Sequence, residues 1–158
     1  SDWSSDVCSS DLHICSYGDE IVSAANLYGG TYTMFGCILP QFGIRTRFVD
    51  PRDPENFDRA VTDKTRAIYI ETIGNPVLEF TDIEAVAGVA RKHHLPLIVD
   101  ATFTTPYLLR TINHGADIVV NSVTKWIGGH GTGIGGVVID SGKFDWTDPK
   151  RSEERRGV

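Results

Sequence analysis

Short apolar segments alternate with segments of helical period along most of the chain. Six segments carry the β-branched or alternating pattern of strands, and they are residues 19–24, 45–49, 66–72, 97–99, 118–120 and 136–140. Four segments between them carry helical patterns or helix-start signals, and they are residues 31–39, 54–60, 82–94 and 106–114. Strands that alternate with helices form βαβ units. The pattern therefore predicts an α/β fold with a mostly parallel sheet.

Capping residues and prolines mark the ends of these helices. Thr81 precedes an amphipathic segment and Glu84 follows three residues later, which predicts a capping box with Thr81 as the N-cap. Pro40 and the Phe42-Gly43 pair are expected to end the first helix. Thr105 and Pro106 fit the start of the last one. No internal repeat or linker divides the middle of the chain, so we expect one domain there.

Composition and charge narrow the classes of function. Hydrophobic residues make up 41% of the 158 positions and charged residues 23%, as in a soluble globular domain with a core. The formal net charge of −6 argues against a nucleic-acid surface. No run reaches the roughly 18 apolar residues of a membrane span, and the polar start does not fit a signal peptide. We expect a cytoplasmic protein with neither a membrane nor a nucleic-acid partner.

The two ends of the chain differ from the middle. Residues 1–12 and 151–158 lack apolar periodicity and are rich in Ser, Asp, Arg and Glu. Both resemble translated sequencing-adapter DNA, so we interpret them as non-native tails; natural disordered tails are the alternative. Residues 13–150 are then expected to be one incomplete domain.

The candidate chemistry is concentrated between residues 115 and 136. An apolar run is followed by two hydroxyl side chains, Ser122 and Thr124, then by Lys125 and six glycines. Glycines allow backbone to approach a ligand closely. Polar or aromatic residues after strands meet at one crevice in an open α/β sheet; here they are Tyr28, Asn75, Asp100, Ser122, Thr124 and Lys125.

These residue types suit an aldehyde cofactor that carries a pyridine ring and a phosphate. A lysine amine can form a Schiff base, an aspartate can pair with a protonated ring nitrogen, and hydroxyls can hold the phosphate. Each residue alone also fits an ordinary role, since Asp100 could cap a helix, Tyr28 could pack in a core and Asn75 could form a turn. Their convergence favours the cofactor site.

Two other ligand classes are suggested by short patterns. Gly131, Gly133 and Gly136 satisfy the dinucleotide pattern G-x-G-x-x-G, but a β-patterned segment follows where that motif requires a helix. His130 and the pair at residues 93–94 have no second ligand at zinc-like spacing, and the three cysteines lack it too. We predict neither a nicotinamide cofactor nor a metal.

The segment SVTKWIGGHGTGIGG, residues 122–136, resembles the lysine segment of the Cys/Met-metabolism pyridoxal-phosphate enzymes, the cystathionine γ-synthase-like family. KWIGGHGT and the later DSGKFDW (residues 140–146) are most similar to the O-acetylhomoserine sulfhydrylases. The likeness covers roughly residues 14–148. It implies a three-layer α/β/α fold, as part of the large domain of a type I pyridoxal-phosphate enzyme.

The resemblance implies a role for each candidate. Lys125 matches the lysine that binds the cofactor and moves protons, Asp100 the partner of the ring nitrogen, and Tyr28 the stacking ring that helps to activate the substrate. Asn75 matches the contact to the ring hydroxyl. Thr102 matches the residue that lines the ring face opposite Tyr28. Ser122 and Thr124 match the hydroxyls on the phosphate side. Asn121 departs from the family, which very often has histidine there.

The implied reaction is γ-replacement: O-acetyl-L-homoserine and sulfide, or methanethiol, give homocysteine, or methionine, and acetate. Cystathionine γ-synthase or γ-lyase is the alternative enzyme, and a non-catalytic remnant that at most binds pyridoxal 5'-phosphate is a third. The family likeness suggests a homotetramer with shared active sites. We expect the 158-residue chain alone to be inactive, because the family's remaining phosphate and carboxylate contacts come from other segments.

Overall fold

The computed structural model describes residues 14–147, and the segments 1–12 and 151–158 lie outside the described residues. A six-stranded sheet runs through this part in the order β2-β1-β3-β4-β5-β6. Five strands are parallel and β6 is antiparallel to β5. The strands are β1 Glu20–Ala24, β2 Arg45–Val49, β3 Thr65–Glu71, β4 Leu97–Asp100, β5 Ile118–Ser122 and β6 Gly136–Asp140. The predicted mostly parallel sheet is confirmed.

Four α-helices and several tighter or wider turns connect the strands. The α-helices are α1 Gly29–Thr33, α2 Glu55–Ala60, α3 Ile83–Lys92 and α4 Thr105–Leu108. From β1 the chain moves to β2 at one edge, whereas β3, β4 and β5 follow toward the other edge. Because crossovers between parallel strands are right-handed, this reversal places α1 and α3 on opposite faces. The sheet is therefore the middle of three layers.

The central strands form the core because they are apolar on both faces. Every residue of β1, β4 and β5 is buried, and so are all but one residue of β3. Strands covered by helices on both faces need such continuous apolar runs. On one face Phe35, just after α1, packs edge-on against Tyr69 of β3 with ring centroids 4.9 Å apart.

The predicted N-cap of α3 is wrong by one residue. Asp82 is the cap, and its Oδ1 accepts a hydrogen bond from the Ala85 N–H at 3.0 Å. Thr81 is buried, and its own N–H donates to the Thr72 carbonyl at 3.2 Å. That bond ties the Thr81 backbone to the residue that follows β3, and the helix begins after it.

Two predicted helices differ in extent from the structure. Helix α1 starts at Gly29 and continues through a π turn, Met34–Ile38, into a 3-10 turn, Leu39–Phe42. The helical turns end at Gly43, which has φ 76°, as the Phe42-Gly43 pair predicts. Pro40 does not end them, because proline at the start of a turn needs no backbone donor.

The segment 106–114 is not one helix. Helix α4 stops at Leu108, Leu109 is extended, and a separate 3-10 turn, Thr111–His114, follows. Gly115 then has φ 103°, and a Cβ there would lie 2.6 Å from the Cβ of Ala87 on α3. The glycine therefore serves both the turn and the packing of two elements.

Candidate active site

The carboxyl ends of β1, β3, β4 and β5 open onto one cavity of about 440 Å³. The cavity lies where the chain leaves β1 and β3 in opposite directions, the place at which open α/β sheets form ligand crevices. Six of the seven predicted site residues line it: Tyr28, Asn75, Asp100, Thr102, Thr124 and Lys125. A larger groove of about 700 Å³, at the amino ends of β4 and β5, is lined by none of them.

Lys125 reaches the cavity from a π turn that directly follows β5, Val123–Ile127. Its backbone angles, φ −91° and ψ −119°, are not helical. The turn closes through the Gly128 N–H, which donates to the Val123 carbonyl at 2.7 Å. A Cβ at Gly128 would lie 2.6 Å from that same oxygen, so this position requires glycine. The glycine-rich stretch thus shapes the turn that presents the lysine.

The dinucleotide pattern in this stretch does not have its required context. Gly136 begins strand β6, which pairs with β5, and no helix begins at that residue. As for metals, no three His, Cys, Asp or Glu side chains between residues 14 and 147 are grouped so that they could hold an ion. In the same range no helix is long and apolar enough to cross a membrane.

Asp100 ends β4 as a buried carboxylate at the cavity wall. Its Oδ1 accepts the Thr102 N–H at 2.8 Å, and its Oδ2 accepts the Tyr69 hydroxyl at 3.4 Å. Burial raises the pKa of Asp100, while the Thr102 and Tyr69 donors oppose that rise. These donors are neutral, so a cationic group in the cavity would gain from this carboxylate and would relieve its burial penalty.

Glu71 is an ionisable cavity residue that the sequence did not predict. It ends β3 directly opposite Asp100 in the strand register, and it is 5% exposed. Its Oε1 accepts the backbone N–H of Tyr28 at 2.8 Å. Burial, and then the charge of Asp100, raise the pKa of Glu71 to about 8. The sequence did contain a signal for it, because Glu71 ends the apolar segment of β3 as Asp100 ends that of β4.

Tyr28 stands between β1 and α1, where it is the N-cap residue of the helix. Its ring lies over Gly30, because a Cβ there would be 2.7 Å from the ring's Cε1. The ring is half-buried at the cavity wall. Glycine at position 30 therefore leaves the space that the ring occupies.

The hydroxyl residues near Lys125 are used differently from one another. Ser122 is 7% exposed and does not line the cavity, and its N–H donates to Thr102 Oγ1 at 2.8 Å. Thr124 lines the cavity, yet its Oγ1 accepts the Gly135 N–H at 3.0 Å and donates to the Gly135 carbonyl at 3.2 Å. Both threonines thus tie neighbouring loops to the cavity wall.

Asn75 lies in the loop after β3, next to a cis peptide bond to Pro76. The loop is closed by the Gly74 N–H, which donates to the Glu79 carbonyl at 2.9 Å. Gly74 also packs on Asn26, whose side chain would overlap a Cβ at that position. Tight packing of Gly74 therefore sets the position from which Asn75 faces the cavity.

These groups fit pyridoxal 5'-phosphate. The cavity brings together one amine, a buried carboxylate with neutral donors, an aromatic ring and polar side chains. Those are the groups that an aldehyde-bearing pyridinium ring needs for covalent attachment, charge pairing and stacking.

The comparisons with known proteins agree with this chemistry. The model of the family described as Cys/Met metabolism PLP-dependent enzyme matches residues 4–157. O-acetyl-L-homoserine sulfhydrylase of Leptospira meyeri is 52% identical over 139 residues, which are 88% of this chain and 31% of that protein. The chain thus spans about a third of the length of this relative.

Two solved structures have the same fold. O-acetylhomoserine sulfhydrylase of Wolinella succinogenes is 40% identical with a TM-score of 0.84, over 93% of this chain and 42% of that one. A Campylobacter jejuni structure that contains N'-pyridoxyl-lysine-5'-monophosphate is 36% identical with a TM-score of 0.80, over 82% of this chain and 32% of that one. From the family match and these likenesses, the chain belongs to the Cys/Met-metabolism family of pyridoxal-phosphate-dependent enzymes.

Proposed function

We propose that this chain is the central part of the cofactor-binding large domain of an O-acetylhomoserine sulfhydrylase. The reaction is γ-replacement, in which sulfide or methanethiol displaces acetate from O-acetyl-L-homoserine and gives homocysteine or methionine. The observation that carries the proposal is the meeting of Lys125, Asp100 and Tyr28 at one cavity. Sequence identity of 52% to a sulfhydrylase supports the choice within the family.

Lys125 is proposed to hold the cofactor through its Nζ and, once released by the substrate amine, to take the proton from the substrate Cα. Pyridoxal 5'-phosphate, when bound, supplies an electron sink that makes this proton acidic enough to remove. The turn at residues 123–127 keeps the amine at the end of β5, in the same cavity as the other proposed groups. A fixed amine is an efficient base because little motion is needed between binding and proton transfer.

Asp100 is proposed to keep a proton on the ring nitrogen of the cofactor. A negative charge beside that nitrogen favours the protonated ring, and the ring's positive charge offsets the burial that raises the pKa of Asp100. Thr102 supports this role because its N–H orients the carboxylate at 2.8 Å.

The other predicted residues are proposed to align the cofactor. Tyr28 would stack on one ring face and help to activate the substrate, Thr102 would line the opposite face, and Asn75 would contact the ring hydroxyl. Ser122 and Thr124 belong to the phosphate side; because the Thr124 hydroxyl is already bonded to Gly135, its contribution includes holding that loop.

We further propose the setting in which this activity operates. The partners are small molecules, the complete protein is a homotetramer, and it works in the cytoplasm. Residues 1–12 and 151–158 are proposed to be non-native tails around an incomplete domain at 13–150. The chain as printed would then bind the cofactor weakly and would not turn over.

A chimera tests the proposed activity. Residues 14–147 would replace the matching segment of the Leptospira meyeri relative, and the purified protein would be assayed for acetate release with sulfide, methanethiol or cysteine as the acceptor. We expect turnover with sulfide or methanethiol, and none in the same chimera with Lys125→Ala. Preference for cysteine would indicate a cystathionine-forming enzyme instead. Cofactor binding without turnover for any acceptor would support the non-catalytic alternative.

A further inference from the structure

Glu71 and Asp100 form an unusual pair of buried acidic side chains. They are register partners at the ends of β3 and β4, and they are 5% and 3% exposed. Two ionised carboxylates side by side in a buried site repel each other and lose their hydration. Such a pair is tolerated when one carboxyl group is protonated, and hydrogen bonds to the other group then favour its charged form.

The hydrogen bonds of Asp100 and Glu71 differ in number. Asp100 accepts the Thr102 N–H and the Tyr69 hydroxyl, and the Thr102 hydroxyl also favours its charged form. Glu71 accepts one neutral donor, the Tyr28 N–H at 2.8 Å. More donors stabilise more charge, so the negative charge of the pair belongs on Asp100.

The partner of Glu71 connects it to the cavity wall. Tyr28 precedes α1, and its N–H points back to the end of β3, which is 43 residues away along the chain. The side-chain ring of Tyr28 lies over Gly30, where a Cβ would be 2.7 Å from Cε1 of the ring. The hydrogen bond and the space over Gly30 therefore fix the backbone and the ring of the same residue.

We propose that Glu71 is a positioning residue, which as a neutral acid beside the charged Asp100 holds Tyr28 at the wall of the cofactor cavity. Burial and the Asp100 charge, which raise the pKa of Glu71 to about 8, agree with the neutral form. The titratable groups that line this cavity with Glu71 are Asp100 from β4, Tyr28 from the β1–α1 connection and Lys125 from the turn after β5. The importance of the Tyr28 position rests on the proposed function, whereas the hydrogen bond itself does not.

The exchange measurement uses the full chain without cofactor, and the cofactor titration uses the chimera described above with pyridoxal 5'-phosphate. Amide hydrogen exchange at Tyr28 reports the hydrogen bond, and a titration reports the dissociation constant of the cofactor. In Glu71→Ala we expect roughly tenfold faster exchange at Tyr28 and roughly tenfold weaker binding, as for the loss of one buried hydrogen bond. Glu71→Gln keeps a neutral acceptor of the same length, so both quantities should stay within about threefold of the parent.

Two further variants keep the outcome decisive. Glu71→Asp retains the acid but is one methylene shorter, so it should lose the Tyr28 protection and carries the test if the alanine variant does not fold. Glu55→Gln removes an exposed glutamate of α2 and serves as the matched control. Unchanged Tyr28 exchange in the alanine or aspartate variant would overturn the proposal, and so would a glutamine variant as impaired as alanine. Because exchange is measured without cofactor, these results stay separate from a failure of the Lys125 assignment.

Discussion

The substitution Glu71→Gln should change how the stability of the chain depends on pH. Glu71 is buried, and its pKa rises from 4.5 to about 8 on folding. An acid whose pKa is raised on folding stabilises the folded state fully below the unfolded pKa, and this stability is lost as pH rises through the folded pKa. The parent chain should therefore lose stability relative to the glutamine variant as the pH rises from 4.5 to about 8.

The size of this loss follows from the two pKa values. Between them the folded state holds one more proton than the unfolded state, so each pH unit lowers the free energy of unfolding by about 1.4 kcal/mol. Over the whole window from 4.5 to about 8 the loss reaches about 5 kcal/mol. Since the cavity is open to water on one side, this is an upper value, and we expect about half of it.

Urea unfolding of both chains without cofactor, from about pH 5 to about pH 9, measures the difference. Subtracting the two curves removes the groups that the variants share. The variant Glu55→Gln reports the effect of losing one negative charge at the surface. Two outcomes would show that Glu71 is ionised in the folded chain. The parent could become more stable relative to the glutamine variant as pH rises, or the difference between their free energies of unfolding could stay constant with pH.

The other substitutions test single elements of the site and fold. In the complete enzyme, Lys125→Ala should abolish the visible absorbance of cofactor bound through the lysine; a persistent band would contradict its assignment. Gly74→Ala should weaken cofactor binding roughly tenfold by pushing the Asn75 loop off Asn26, which a titration checks. Gly115→Ala should lower the free energy of unfolding by about 2 kcal/mol, because φ is 103° and Ala87 lies in the way. Gly88→Ala, in open space on α3, is the matched control and should raise it by about 0.5–1 kcal/mol; equal effects at both glycines would refute the packing argument.

The strands could be read from the chain because their signal is local. Residues 118–120 and 97–99 are apolar runs, and the structure buries every residue of the strands that contain them. The helix ends were less predictable. Thr81 has the right chemistry for a cap, but its backbone is bonded to Thr72 after β3, and Asp82 caps the helix.

The candidate site was predictable in part for the same reason. Residues that directly follow parallel strands must meet at one edge of a sheet, and Asp100, Lys125 and Tyr28 do so. Ser122 is the exception, since it is buried at the end of β5 and does not face the cavity. Spacing places a residue near the edge, whereas the direction of its side chain depends on the pleat of the strand.

Amino-acid type and order alone were enough for the parallel strands and for the residues at the strand ends, because the apolar pattern of a strand is set within a few residues. Tertiary structure alone assigned Glu71 its place. Burial, and then the charge of Asp100 on the neighbouring strand, raise its pKa, and its hydrogen bond needs Tyr28, which is 43 residues away along the chain. Charge repulsion and burial depend on distance in space, and only the folded sheet brings these three residues within that distance.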